Sequence, residues 1–393
     1  MKKRIYLDHA ATTPMDPLVK KVMDNFFVNE FGNPSSIYLE ARKAKRVITS
    51  ARIKIAKIIN AKPDEIIFTS GGTESDNLAI FGIVGNSVSD CRKPSFRQHI
   101  ITTKFEHSAV LNPIKFLEKQ GCKVTYLDVG EDGVVKPEDV EKALRPETVL
   151  VSIMYANNEI GAIQPIAEIG KILKNHRAIF HTDACQAAGY LNLDVEKLGI
   201  DLMTVNGSKI YGPKGTGFLY AKRGIRLKPL MHGGGQEAGL RPGTENVPAI
   251  IGLSEALAKV QKRRVKESKR LIAIRDYFIK RLTKEIPKIF LNGHPKKRLP
   301  NNINISILGV EGEAVVLYLD EAGIACATGS ACNSEKLESS HVIMAIRNDY
   351  AYSHGSLRFT LGKDNTKKEI DYVMKVLPKV VEKLRKISAK WQK

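Results

Sequence analysis

The sequence has few cysteines and no long apolar run, and each shortage excludes a class of protein. Its five cysteines are an odd number without paired spacing in a chain of 393 residues. That pattern argues against a disulfide scaffold and indicates a reducing compartment. No apolar run reaches about 18 residues, the length that spans a membrane, and residues 5–7 are too short an apolar stretch for a secretory signal. We therefore expect a cytoplasmic protein without a membrane partner.

Acidic residues are also scarce, with 42 Asp and Glu against 62 Lys and Arg, so that the formal net charge is +20. This charge would permit binding to nucleic acid or to an acidic protein. The densest basic stretches, residues 259–270 and 367–393, have helical spacing and lack the interleaved aromatic residues of a base-stacking surface. We interpret both stretches as solvated helix faces and do not expect direct nucleic-acid binding.

Seven short apolar runs rich in β-branched residues alternate with helical patterns in the first two thirds of the chain. The runs are 65–69, 99–103, 123–129, 148–156, 178–184, 201–207 and 215–221. Apolar strands separated by helices predict an α/β fold with a buried, mostly parallel seven-stranded sheet wrapped by helices. Residues 208–214 are too few for a helical crossover, so the last two strands should be antiparallel.

The remaining residues predict a second, smaller α+β domain. A long helix at 248–285 precedes strands at 301–308 and 356–361 and helices at 311–322 and 366–387. We place the domain boundary inside the long helix, near residue 258. The large domain is then 14–257, and the small domain is 1–13 with 258–393.

Ligands of open α/β sheets bind at the carboxyl ends of the strands, so the residues there are the candidates for a site. After the first strand, Gly72 and Thr73 open a helix whose free N–H groups favour an anion, although an ordinary capped turn fits equally well. His107 opens the next helix, where a histidine is more often structural than catalytic. Asn158 follows the fourth strand and could hold the edge of a planar ligand or cap a turn.

Two further strand ends carry charge. Asp183 ends a strand predicted to be buried on both faces, where a carboxylate needs a cationic partner unless it caps a helix, and Gln186 follows it. Lys209 lies in "TVNGSKIYGPKGTG", which is no P-loop because a proline interrupts the motif and a strand follows. A lysine in a desolvated cleft suits Schiff-base chemistry. A phosphate-binding helix start, a buried carboxylate and a cleft lysine together predict a pyridoxal phosphate site.

A series of motifs runs nearly end to end: "IYLDHAATTP", "FGNPSS", "FTSGGTESDN", "EHSAVL", "NNEIG", "HTDACQ", "KIYGPKG", "HGGGQEAGLRPGTEN", "LNGH", "GSAC" and "SLRFTLG". In these motifs the chain resembles the cysteine desulfurases of the NifS/IscS kind, among the class V, fold-type-I pyridoxal-phosphate enzymes. The resemblance implies that Lys209 binds the cofactor covalently and moves the α-proton of the substrate. It implies that His107 stacks on the ring and takes part in acid–base steps.

The resemblance also assigns binding roles. Asp183 would pair with the ring nitrogen, Gln186 with the ring hydroxyl, and Gly72 and Thr73 with the phosphate. Asn158 would contact both the ring and the substrate carboxylate, which Arg358 would clamp with help from Asn33. Thr244 would reach the phosphate held by the other subunit of a homodimer. Asn206 and Ser208 stand where this branch of the family has serine and histidine, and we expect both to donate to the phosphate.

The sulfur step would fall to Cys332, in "ATGSACNS". Glycine and small polar neighbours predict an exposed loop, as a thiolate that must reach the cofactor requires. Cys326 follows apolar residues and is predicted to lie in the core. We expect no resident metal, with Cys332 as a possible transient ligand of an iron–sulfur cluster.

The resemblance therefore implies conversion of L-cysteine to L-alanine, with the sulfur held as a persulfide on Cys332. The acceptor would be an iron–sulfur scaffold or another sulfur-accepting protein, with tRNA thiolation as a further destination. The alternatives are a selenocysteine lyase or an aminotransferase of the same family, and a degenerate or tRNA-binding member.

Overall fold

The structure is a computed structural model that describes residues 4–88, 98–329 and 339–387, without the side chains of residues 86–88. Cys332, the predicted sulfur nucleophile, lies outside the described residues.

The strands of the described residues follow the chain in this order: β1 Ile5–Tyr6, β2 Ile66–Thr69, β3 His99–Thr103, β4 Lys123–Leu127, β5 Thr148–Ser152, β6 Ile179–Asp183, β7 Leu202–Asn206, β8 Gly217–Ala221, β9 Ile289–Leu291, β10 Asn302–Ile307, β11 Ile324–Ala325 and β12 Ser356–Thr360. The α-helices are α1 Pro17–Val28, α2 Leu39–Ile59, α3 Gly72–Val88, α4 Ser108–Lys119, α5 Pro137–Ala143, α6 Ile166–Leu173, α7 Val195–Leu198, α8 Val247–Glu285, α9 Gly312–Glu321, α10 His341–Arg347, α11 Tyr350–His354 and α12 Lys367–Ile387. None of these helices has the length and apolar character needed to cross a membrane.

The predicted seven-stranded sheet is confirmed, with the strand order β2-β8-β7-β6-β5-β3-β4. Strands β3 to β7 are parallel to one another, and β8 is antiparallel to β7, as their short connection predicts. Strand β8 is also antiparallel to β2. The predicted strand 148–156 is longer than the observed strand β5, which ends at Ser152. Beyond it the N–H of Met154 donates to the Glu106 carboxylate (3.0 Å to Oε1), so it does not extend the ladder with β3.

The long helix α8 passes between two hydrophobic cores. Its first half contributes Leu253 and Leu257 to the core that packs against the large sheet. Its second half contributes Leu271 and Phe278 to a separate core around the three-stranded antiparallel sheet β12-β10-β9. The division into two domains near residue 258 stays a prediction, and the change of core along α8 is compatible with it.

The start of the chain lies against the smaller sheet. Strand β1 pairs in parallel with β11, and Asp8 bridges to Thr360, the last residue of β12. Leu7 is buried in the second core. This path brings Ala10 and Ala11 to the carboxyl ends of the large sheet's strands, where the site lies.

Candidate active site

A cavity of about 260 Å³ opens at the carboxyl ends of the central strands. The large sheet and strand β12 of the three-stranded sheet both contribute to its wall. Nine of the residues predicted from sequence line it: Gly72, Thr73, His107, Asn158, Asp183, Gln186, Asn206, Lys209 and Arg358. Residues from five separate strand ends and from the C-terminal part of the chain thus meet in one place.

Three other predicted residues are absent from the lining of this cavity. The Ser208 hydroxyl instead donates to Oδ1 of Asn206 (3.1 Å). Asn33 is exposed and accepts a hydrogen bond from the N–H of Ser35 (3.0 Å). Thr244 is exposed on the loop before α8. Their roles stay predictions.

Lys209 ends a single 3-10 turn that directly follows β7. Oδ1 of Asn206 caps that turn by accepting from the N–H of Ser208 (3.0 Å). Gly207 opens the turn, and a Cβ on it would lie 2.8 Å from the carbonyl oxygen of Pro213, so only glycine fits. The tight turn ends the strand and presents Lys209 to the cavity, where Nζ donates to the carbonyl oxygen of Ala11.

The start of α3 forms a cradle for an anion. Gly71 precedes it with a positive φ of 151°, and a Cβ on Gly72 would lie 2.8 Å from Sγ of Cys185. The amide nitrogen of Asn206 lies beside this cradle, 3.5 Å from the same Cβ position. Free N–H groups at a helix start and a nearby amide donor suit a phosphate. The cradle therefore fits the phosphate of pyridoxal phosphate.

Asp183 is buried at the end of β6, where its Oδ1 accepts a hydrogen bond from the N–H of Cys185 (2.8 Å). No lysine or arginine of the described residues forms an ion pair with it. A buried carboxylate without a cation is costly, so this position suits a ligand that brings a positive charge. The pyridinium nitrogen of pyridoxal phosphate is such a group.

His107 caps the start of α4, where its Nδ1 accepts a hydrogen bond from the N–H of Ala109 (3.1 Å). Burial lowers the pKa of His107 below its ordinary value of 6.5, since desolvation disfavours the charged form. The ring is therefore neutral at pH 7 and carries its proton on Nε2. A neutral imidazole can stack on a planar ligand and exchange a proton with it.

Arg358 supplies a cation on the opposite side of the cavity. It is only 2% exposed, its Nη2 donates to Oδ1 of Asp8 (2.9 Å), and its Nη1 donates to the carbonyl oxygen of Asn158 (3.1 Å). Its Nε has no hydrogen-bond partner among the described residues, and neither does Oδ1 of Asn158. A buried arginine with donor capacity left over can bind the carboxylate of an amino acid.

Three acidic residues at or beside the cavity were not predicted. Asp8 orients Arg358, Asp76 lines the cavity, and Glu159 lies next to Asn158. All three fall within motifs quoted above, "IYLDHAATTP", "FTSGGTESDN" and "NNEIG". Their spacing alone gives no role, because each depends on contacts with residues far away in the chain.

Glu159 lies close to two described residues near the ends of the stretch containing Cys332, namely Gly329 and Ser340. Its Oε2 accepts a hydrogen bond from the Ser340 hydroxyl (2.5 Å). A Cβ on Gly329 would lie 2.8 Å from the same oxygen. Ala327, two residues earlier, pairs its backbone with that of Arg358. The stretch therefore leaves and rejoins the described structure beside the cavity.

The described cysteines behave as buried neutral thiols. Cys326 is buried, as predicted, and burial raises its pKa to about 12. Burial also raises the pKa of Cys185, which lines the cavity, and of Cys122. A thiol that does not ionise is a poor nucleophile.

Comparison with known proteins gives consistent matches over the whole chain. Residues 5–373 match the family described as Aminotransferase class-V. The chain is 51% identical to the cysteine desulfurase IscS of Dictyoglomus turgidum, over 99% of this chain and 97% of that protein. It is 48% identical to the cysteine desulfurase IscS of Methanosarcina thermophila, over 98% of this chain and 94% of that protein.

Solved structures agree with the sequence matches. A NifS-like protein with 35% identity superposes with a TM-score of 0.89, covering 98% of this chain and 100% of its own. The structure described as SspA in complex with cysteine, 36% identical, has a TM-score of 0.80 and covers 91% of this chain and 98% of its own.

Proposed function

We propose a function from the premise that the chain belongs to the Aminotransferase class-V family, which the family match and its full-length relatives show. It is a pyridoxal-phosphate-dependent cysteine desulfurase that converts L-cysteine to L-alanine and keeps the sulfur as a persulfide on Cys332. The observation that carries the proposal is the cavity itself, which joins three groups. They are Lys209, a buried Asp183 without an ion pair to a described lysine or arginine, and an Arg358 whose Nε has no hydrogen-bond partner among the described residues.

The residues of the cavity fit the cofactor group by group. Gly72, Thr73 and Asn206 would hold the phosphate, Asp183 the ring nitrogen, and Lys209 the aldehyde carbon. When bound, pyridoxal phosphate supplies the electron sink that makes the α-proton of an amino acid labile. Gln186 also lines the cavity, with its amide nitrogen donating to the carbonyl oxygen of Ala10 (2.9 Å), and its side-chain oxygen would accept from the ring hydroxyl.

Arg358 would bind the carboxylate of L-cysteine through the donor that has no partner in the described structure. Its bonds to Asp8 and to the carbonyl oxygen of Asn158 fix the plane of the guanidinium before the substrate arrives. This preorganisation reduces the entropy that binding costs. The Lys209 amine, once free, would accept the α-proton at Nζ, and neutral His107 would exchange a proton at Nε2.

The sulfur step must balance both atoms and electrons. The thiolate of Cys332 would attack the sulfur of the bound cysteine, so that a new S–S bond forms while the substrate C–S bond breaks. The electron pair of the broken bond stays with the substrate carbon, which gains a proton and becomes the methyl group of alanine. Gly329 lies beside Glu159, and Ala327 pairs with Arg358. These positions support the role, because the described residues that precede the Cys332 stretch lie beside the cavity.

The assembly and the sulfur acceptor belong to the same proposal. We propose a cytoplasmic homodimer in which Thr244 contacts the phosphate of the other subunit. The Thr244 loop is held by ion pairs of Glu237 with Arg52 and of Arg241 with Glu74 (3.1 Å), which supports a fixed position for an exposed threonine. The persulfide sulfur would pass to an iron–sulfur scaffold or another acceptor protein.

The test is alanine formation from L-cysteine by the purified protein with pyridoxal phosphate and a reductant, compared with Cys332→Ala. Cys122→Ala is the matched control, since Cys122 is buried and does not line the cavity. We expect alanine from the wild type and the control and its loss in Cys332→Ala. Equal alanine from all three would remove Cys332 from the mechanism, and no alanine despite bound cofactor would indicate a different amino-acid substrate.

A further inference from the structure

Asp76 is a buried carboxyl group in the cofactor cavity to which no role has been given. It lies on α3, one helical turn after Gly72 and Thr73, so the same face of the helix carries the anion cradle and this acid. The side chain is 1% exposed and lines the cavity. Its Oδ1 has no hydrogen-bond partner in the described part of the chain. An unsatisfied buried oxygen at this position is costly and therefore calls for an explanation.

A polar network surrounds Asp76 on the side of the sheet. The nearest ring is that of His181, whose Nε2 lies 3.6 Å from Oδ1 of Asp76. His181 also contacts Oγ of Ser152 through Nδ1 (2.9 Å) and Oγ1 of Thr204 through Nε2 (3.1 Å), and Thr204 hydrogen-bonds Asp76 as well. His181 is fully buried. The network joins strands β5, β6 and β7 to α3 directly beneath the cavity.

The titratable groups that face Asp76 from β6 and from the segment before α4 are acidic or neutral. They are Asp183 and His181 on β6, Cys185 just after it, and Glu106 before α4. Lys209 lines the same cavity, and its positive charge acts on Cys185. Burial raises the pKa of Asp76 well above its ordinary value, and the negative charge of Asp183 raises it further. Burial lowers the pKa of His181 to about 4, so the imidazole is neutral at pH 7. Two ionised carboxylates in this buried site would repel each other.

We propose that Asp76 is a positioning residue for the cofactor ring. Its carboxyl carries a proton, so that it adds a hydrogen-bond donor to the side of the cavity that contains Asp183. It does not add a second negative charge there. The inference rests on the proposed function, because it assigns Asp183 to the ring nitrogen. With Asp76 neutral, the ring nitrogen faces one full negative charge. The same proton lets Asp76 act as donor within the network.

The experiment compares the wild type with Asp76→Asn, which mimics the neutral acid in shape. Glu106→Gln is the matched control, since burial also raises the pKa of Glu106, to about 8, but Glu106 does not line the cavity. The first readout is the thermal midpoint of the full chain without cofactor as a function of pH. The second is the visible absorbance of bound pyridoxal phosphate over the same pH range.

We expect Asp76→Asn to match the wild type at acid pH and to unfold at a higher temperature at alkaline pH. An acid with a raised folded-state pKa stabilises the fold below its unfolded pKa, and that stability is lost as the pH rises through the folded value. Asparagine does not titrate and keeps its contribution. In the bound form, the pH dependence of the cofactor absorbance should be the same in the wild type and in Glu106→Gln, and should differ in Asp76→Asn.

Two results would overturn the inference. The first is an Asp76→Asn protein that is less stable than the wild type at neutral pH and has an altered cofactor absorbance there, since Asp76 would then be ionised. The second is a pH dependence of the cofactor absorbance that is the same in Asp76→Asn as in the wild type. Failure of the wild type to bind pyridoxal phosphate would instead refute the proposed function, while the stability series would still show whether Asp76 holds a proton.

Discussion

The two sides of the cavity are built in opposite ways. The acidic wall, Asp76 and Asp183, comes from α3 and β6, and its carboxyls have no ion pair with a lysine or arginine of the described residues. The basic wall, Arg358 with Asp8, joins residues 350 positions apart, and its arginine is already paired. The acidic wall is thus left to receive a cation, whereas the basic wall is oriented in advance to receive an anion.

The difference shows how the charged side chain of each wall is held in position. Asp183 is placed by the sheet, because it ends a strand that is buried between two parallel neighbours. Arg358 lies on the smaller sheet and has a long flexible side chain, so it needs Asp8 and the carbonyl of Asn158 to fix its guanidinium. A rigid backbone position serves one wall, and a hydrogen-bonded side chain serves the other.

The largest effect should come from Lys209, which lies between the walls. Lys209→Ala removes both the covalent attachment and the proton acceptor, so we expect kcat for alanine formation to fall roughly 10²–10⁴-fold, as for loss of a general base. Lys214→Ala, at an exposed lysine in the same segment, is the control and should retain activity. Retained activity in Lys209→Ala would show that Lys209 is neither the attachment point of the cofactor nor the proton acceptor.

Substitution on the basic wall should affect substrate binding. Arg358→Lys replaces a planar pair of donors by a point charge, and we expect KM for L-cysteine to rise roughly 10–100-fold, since hydrogen bonds to charged groups contribute about 1.5–3 kcal/mol. Asp8→Asn should raise KM less, because the arginine remains but loses its orienting charge. The absorbance of bound cofactor should not change in either variant. A large change in absorbance would mean that substitutions on the basic wall also alter the cofactor site.

The smallest effect should come from substitution of Ser208, which lies near the acidic wall and is expected to influence cofactor binding. Its hydroxyl donates to Oδ1 of Asn206, whose amide nitrogen lies beside the phosphate cradle. Ser208→Ala should weaken pyridoxal phosphate binding roughly 2–10-fold, the value of one neutral hydrogen bond of about 0.5–1.5 kcal/mol. The cofactor dissociation constant measures this, and Asn206→Ala should weaken binding more. An unchanged dissociation constant in both variants would show that neither Ser208 nor Asn206 contributes to the phosphate site.

Asp183 of the acidic wall could be predicted from the sequence and Arg358 of the basic wall only by resemblance, whereas Asp76 and Asp8 were not predicted. Apolar, β-branched runs identify all seven strands of the large sheet, and the residues after those runs include Asp183 and Lys209. Short elements such as β1, β11 and α7 leave no periodic pattern, because they contain two to four residues. The pairing of Asp8 with Arg358 has no local signal, since it exists only after the ends of the chain meet.

The stretch containing Cys332 shows the same limit. Its composition predicts exposure, but the two contacts that root it at Glu159 depend on residues separated by 170 and 181 positions from that acid. Asp76 was missed for a related reason. Helical spacing places it on the same face as Thr73, yet its burial depends on the packing of α3 against five strands of the large sheet.

The pairing of Asp8 with Arg358 also sets an order of events during synthesis. Synthesis runs from the N-terminus, so Asp8 is made 350 residues before its partner Arg358. The seven large-sheet strands are complete by Ala221, and the residues of the acidic wall are therefore present in the nascent chain before Arg358 is added. The hydrogen bonds that fix the guanidinium are thus among the last contacts of the cavity to become available.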